Sequence, residues 1–204
     1  MTDYATLLRK APGFAVKKTR RALVARWQAW RFRRDPDHPA LDADRARAAL
    51  RDADSVLFLC WGNICRSPLA ERRLRDRLEA AGVGDISVRS AGLGSVENRP
   101  SPPEAVAAAE RLGVDLADHR SRLADSAVVA DSDVVFVMDD NNYYSATRGF
   151  SDAADRTFFL GVFLPDGRVL PDPNGASEMY FDSVYAAIDR AIDGVADAIE
   201  SREN

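Results

Sequence analysis

One stretch limits what this chain can become: Ser55 to Ala70, SVLFLC-WGNICRSP-LA. Ser55 to Cys60 is a short apolar run containing Val and Phe, the pattern of a buried strand. Trp61-Gly62-Asn63-Ile64-Cys65-Arg66-Ser67 follows as a loop, and Pro68 opens the helical segment LAERRLRDRLEAAG. Proline fits a first helical position, because its missing N–H would have no intrahelical partner there. Strand, tight loop and helix start, in that order, aim backbone N–H groups and the positive end of a helix dipole at one spot. Such a spot suits an oxyanion such as phosphate.

Cys60 stands at the strand's end and Arg66 six positions later at the helix start. A helix N-terminus and a guanidinium both stabilise a thiolate. Arginine also offers a planar fork that matches two phosphate oxygens, which lysine does not. Gly62 and Asn63 are residue types that tolerate left-handed backbone, as a loop curling round an anion requires. A thiolate beside an oxyanion hole is equipped to attack at phosphorus or arsenic. A buried Cys and a surface Arg capped by Ser would leave this grouping of loop residues unexplained.

The run C-W-G-N-I-C-R-S-P-L-A-E resembles the signature loop of the low-molecular-weight protein tyrosine phosphatase family. Bare Cys-x5-Arg spacing recurs by chance; the full run in its strand–loop–helix setting is specific. The resemblance covers about residues 52–200. It implies an α/β fold: a four-stranded parallel sheet in flavodoxin-like order 2-1-3-4 with helices on both faces. Strands alternating with helices argue independently for parallel pairing. Ligands in such sheets sit at the strand C-termini near the switch point, where Cys60 falls.

The resemblance also assigns roles. Cys60 is the nucleophile, and Arg66 grips the phosphoryl oxygens together with the loop of Trp61, Gly62, Asn63, Ile64, Cys65 and Ser67. Asp172, in Leu170-Pro171-Asp172-Pro173, is the general acid; the leaving oxygen needs a proton as its bond breaks. An ordinary Asp-Pro turn is the plain alternative, and Asp166, beside Gly167, is a weaker competitor. Asn63 would hold the loop by bonding to Ser90 and His119, and Ser67 would donate to the thiolate. His119, Arg122 and Asp139 occupy positions where the family keeps His, Arg and Asp. For His119 a purely structural role is the alternative. Cys65 is either a partner for reversible oxidation of Cys60 or a small apolar filler. The family's aromatics after the Asp-Pro are replaced by Asn174-Gly175, with Tyr180 and Phe181 further on, so Trp61 is the candidate aromatic wall. Residues 161–169 read as an insertion.

The activity so implied is phosphotyrosine hydrolysis through a phosphocysteine intermediate, without metal or cofactor. Two alternatives share the fold. Phosphoarginine phosphatases tend to carry Thr where this chain has Ile64. Arsenate reductases relay a disulfide through further cysteines, and this chain has only Cys60 and Cys65. The partner would be a tyrosine-phosphorylated protein. With 25 Arg to 3 Lys the composition resembles that of a high-GC bacterium. The expected substrate is then either an autophosphorylating tyrosine kinase or a host protein.

Charge is unevenly spread. Ten of the 28 basic residues fall within residues 1–34 against the single acid Asp3, although the whole chain is −4. Leu23, Trp27 and Trp30 fall at helical spacing there, with Phe14 and Val16 upstream. Residues 1–50 therefore read as a basic helical extension and 51–204 as the catalytic domain. The extension packs its Trp face on the catalytic domain or another subunit, lies on an anionic membrane or polyanion surface, or is disordered. No nucleic-acid motif is present. With no distant cysteine pair, no apolar run long enough for a membrane span and no signal-peptide core, a cytoplasmic location is expected, at the membrane periphery or with export lacking a signal peptide as variants. The prolines of Asp35-Pro-Asp-His-Pro39 break the chain, and His38 reads as a solvated linker residue.

Further strands are expected at 86–90, 132–138 and 157–160. Helices are expected at 40–52, 104–112, 140–148 and 177–201, the last with an apolar stripe of Val184, Ile188, Ile192 and Val195. Residues 161–175 read as irregular, with a turn at Asp166-Gly167.

Overall fold

Apolar runs with β-branched and aromatic residues build the centre. A computed structural model describes residues 37–94, 96–165 and 169–202. Strands β1 (Ser55–Cys60), β2 (Ser87–Gly92), β3 (Val134–Val137) and β4 (Thr157–Phe159) form one sheet in the order β2-β1-β3-β4. All neighbours are parallel, and Cys60 is in register with Gly92. β1 is buried along its whole length because it has a strand on each side and helices over both faces. That explains its unbroken apolar sequence. Phe58 stacks on Phe136, which meets Phe158 and Phe163. Truncating either Phe58 or Phe136 to Ala costs about 3–5 kcal/mol.

Among the described residues there are six helices: α1 (Ala43–Arg51), α2 (Arg66–Ala81), α3 (Pro103–Glu110), α4 (Ser126–Ala130), α5 (Asp140–Gly149) and α6 (Glu178–Glu200). α6 is the packing hub, touching α1, α2 and α3. Its buried stripe contains the four expected residues and also Phe181 and Tyr185. α2 ends at Gly82, whose φ of 75° is the left-handed cap a glycine adopts without strain.

Several expectations change. α1, grouped by sequence with the basic extension, buries Ala46 and Leu50 completely in the core. The packed body therefore begins before residue 51, and Asp37 is its first residue. His38 is not a solvated linker: its Nδ1 accepts the Ala40 N–H at 3.2 Å, and its ring meets Tyr143 edge-on. Residues 161–169 are not a loose insertion throughout. Leu160–Phe163 forms a 3-10 turn, and Phe163 presses on Gly194 of α6 so closely that an added Cβ there would lie 2.8 Å from the ring. α4 was not expected at all. The Trp-bearing segment 1–34 and the turn at Asp166-Gly167 lie outside the described residues. No helix among the described residues is long and apolar enough to cross a membrane.

Candidate active site

β1 delivers Cys60 to the C-terminal edge of the sheet, and the chain turns at once into α2. No side chain caps the N-terminus of α2, so its first amides face the loop rather than a capping oxygen. The loop closes because Asn63 takes a left-handed backbone, φ 49°, uncommon for a residue with a side chain. That turn brings the Asn63 N–H to 3.2 Å from Cys60 Sγ. The Ser67 hydroxyl lies 3.0 Å from the same sulfur. One N–H and one hydroxyl thus converge on one buried sulfur, an arrangement able to solvate an anion in place of water.

The strained turn is held from every side. Asn63 is fully buried, and its amide nitrogen donates to Ser67 Oγ at 3.0 Å and Ser90 Oγ at 2.8 Å. Its side-chain oxygen accepts the Arg122 backbone N–H at 2.8 Å. Its carbonyl is 2.7 Å from His119 Nε2. Burial lowers the His119 pKa, against the opposing pull of that carbonyl. The ring is therefore neutral near pH 7, and the Nε2–H tautomer donates to Asn63. Ser90, His119 and Arg122 are all brought to Asn63, Arg122 through its backbone rather than its guanidinium.

Arg66 is 2 % exposed. Its Nη1 donates to Asp139 and, at 3.0 Å, to the Leu170 carbonyl; Nη2 lies 3.3 Å from Asp172. Burial works against its charge, but Asp139, Cys60 and Asp172 together outweigh that, and its pKa is raised. Arg66 Nε has no protein partner, a donor left over beside the loop. Asp139 also accepts the Asn142 N–H at 2.8 Å as the cap of α5, so one carboxylate fixes both helix and guanidinium. Asp172 is half exposed. The cleft holds about 80 Å³, and Cys60, Trp61, Arg66 and Asp172 all line it. Gly62, Ile64 and Cys65 complete its floor. Cys65 is buried, which pushes its thiol pKa up, with Cys60 adding to the effect. The floor thus holds a neutral thiol at Cys65, next to Cys60. Among the described residues no group of three or more His, Cys, Asp or Glu could hold a metal.

Sequence reasoning missed three residues here. Glu71, nearly fully buried, accepts from Ser90 and pairs with Arg75 at 2.7 Å and Arg122 at 3.4 Å. An acid one turn after Ser67 on the buried side of α2 was the available signal. Tyr185 reaches across from α6 to donate to the Cys65 carbonyl at 3.1 Å. Arg99 lines the cleft from the loop after β2. Nothing local in the sequence marks either of these two.

Comparisons with known proteins agree with this geometry. The family model described as low molecular weight phosphotyrosine protein phosphatase matches residues 55–204. The low molecular weight protein-tyrosine-phosphatase Etp of Escherichia coli (strain K12) is 31% identical over 138 residues, 68% of this chain and 89% of that protein. The crystal structure of the tyrosine phosphatase Wzb from Escherichia coli K30 in complex with sulphate superposes with a TM-score of 0.66 at 34% identity, covering 71% of this chain and 97% of that one. The YwlE arginine phosphatase from Geobacillus stearothermophilus superposes with a TM-score of 0.65 at 26% identity, covering 73% of this chain and 94% of that one.

Proposed function

Because this chain belongs to the low molecular weight phosphotyrosine protein phosphatase family, as a protein-tyrosine phosphatase and phosphoric monoester hydrolase, we propose which of its residues carry the reaction. Cys60 attacks phosphorus as a thiolate. The loop amides and the Arg66 guanidinium receive the non-bridging oxygens, whose charge spreads as the bond to the leaving group breaks. An incoming phosphoryl group competes with Asp172 for Arg66. Asp172 then donates its proton to the tyrosyl oxygen. The resulting phosphocysteine is hydrolysed by water, from which Asp172 takes the proton back. Cys60, sulfur and proton count restored, is ready for the next substrate.

The observation that carries this reading is the convergence of Asn63 N–H and Ser67 Oγ on Cys60 Sγ in one cleft with Arg66 and Asp172. Phosphotyrosine is favoured over phosphoarginine by Ile64 in the floor and by Trp61 on the wall. The substrate is accordingly a tyrosine-phosphorylated protein. An arsenate-reductase relay has no resolving thiol, since both cysteines lie in the one loop.

Turnover of aryl phosphates tests the assignment. Cys60→Ser abolishes it, a loss on the order of 10⁴-fold or more. Asp172→Ala lowers it by roughly 10²–10⁴-fold, most for esters with poor leaving groups. Undiminished activity of the Cys60→Ser protein ends the assignment.

A further inference from the structure

Two features at the mouth of the cleft are unused by the chemistry at its base. The first is how Trp61 is seated. A Cβ added at Gly94 would lie 2.3 Å from indole Cζ2 and 2.5 Å from Cε2, so the ring rests directly on the Gly94 backbone. The Gly94 N–H also donates to the Trp61 carbonyl at 3.0 Å. Only a residue without a side chain lets the indole settle there.

The second is Arg99. It lines the cleft, it is exposed, and its guanidinium has neither an ion-pair nor a hydrogen-bond partner among the described residues. Its backbone is nevertheless tied down. Arg99 N–H donates to Ser121 Oγ at 2.9 Å, Ser121 N–H to the Arg99 carbonyl at 2.8 Å, and Asn98 N–H to the Ser121 carbonyl at 2.8 Å. Ser121 is buried, so the loop presents Arg99 from a fixed base. Arg66 at the floor is already matched by Asp139 and Asp172. Arg99 is therefore a cation at the mouth whose guanidinium has no partner among the described residues.

We propose that this mouth selects the peptide: the phosphotyrosyl ring lies along the Trp61 indole held by Gly94, and Arg99 pairs with a carboxylate next to the phosphotyrosine. The inference rests on the phosphotyrosine reading above. The phosphoryl group itself is served by Arg66 and the amides at the base, which leaves Arg99 to a charge further out. An exposed pair of this kind is weak, worth roughly 2- to 5-fold in selectivity, and salt screens it.

The test compares two phosphotyrosyl peptides, identical except that acidic residues flank the phosphotyrosine in one and their amides in the other. kcat and KM are measured for the full chain at low and high ionic strength, with p-nitrophenyl phosphate alongside. The native protein prefers the acidic peptide by roughly 2- to 5-fold at low salt, and the preference fades at high salt. Arg99→Ala makes the two peptides equivalent, and Arg99→Glu reverses their order. Gly94→Ala displaces the indole and raises KM for both peptides alike, with a smaller effect on kcat. Equal turnover of both peptides by the native protein overturns the inference and leaves the phosphatase reading intact. So does an Arg99→Ala protein that loses as much on p-nitrophenyl phosphate as on peptide, since that places Arg99 on the phosphoryl group. Failure to hydrolyse either peptide, with p-nitrophenyl phosphate still turned over, ends the phosphotyrosine reading and the inference with it.

Discussion

The floor and the mouth of the cleft are built by opposite rules. At the floor Asn63, Arg66, Ser67 and Ser90 are buried, and each is bonded to the others or to residues from distant segments. At the mouth Arg99 and Asp172 are exposed, and Trp61 and Asn174 line the cleft beside them. Transition-state charge needs donors fixed before the substrate arrives, which a buried, saturated network supplies. Choice among peptides needs groups that reach solvent and tolerate exchange. Damage at the floor should therefore fall on kcat, and damage at the mouth on KM and on substrate preference.

The sharpest way to break that contrast is Arg66→Lys. Lysine keeps the charge but cannot hold Asp139, the Leu170 carbonyl and an oxyanion at once. The expected loss in kcat/KM for an aryl phosphate is on the order of 10²–10³-fold; a loss below tenfold would show that charge alone suffices. Next is Asn63→Ala, which removes three side-chain hydrogen bonds from a left-handed residue. A loop displaced by about 1 Å costs roughly 10²-fold, read in kcat with KM for inorganic phosphate as the control. Denaturation should show a stability loss of about 1–3 kcal/mol. Stability lost with kcat intact would mean the network serves the fold and not the chemistry.

The smallest effect expected is a pH dependence through His119. Burial holds its folded pKa below the ordinary value of 6.5, so the folded ring is neutral where the unfolded ring takes a proton. Its contribution is complete above pH ~6.5 and declines as pH falls below that, until the folded ring protonates too. Denaturant midpoints measured between about pH 7.5 and pH 5 should fall more for the native protein than for His119→Gln. Parallel curves would remove His119 from the support of the loop.

How much of this was legible in the sequence follows the same division. β1 was placed at Ser55–Cys60 from its apolar run, and the strand order followed from the motif's family resemblance. Cys60 to Ser67 of the floor are local in sequence, so those residues could be named together, while Ser90 came through the resemblance. Strand ends were less clear: the third strand was expected at 132–138 and pairs only over Val134–Val137, since Ser132 and Asp133 bond instead with Val128 and Ser55 respectively. The short α4, capped by Asp125, carries too little periodicity to see. Glu71 and Tyr185 escaped notice because their partners are 19 and 120 positions away. Arg99 escaped because only folding places the loop after β2 at the cleft.

The central claim is that Cys60 itself becomes phosphorylated. Asp172→Ala slows both halves of the cycle, and with an aryl phosphate whose leaving group needs little protonation the second half limits turnover. Acid quenching during that steady state, followed by peptide mass analysis, should find one phosphoryl group on the peptide containing Cys60. Continued turnover with no phosphoryl group there, or with it on another residue, would contradict the account.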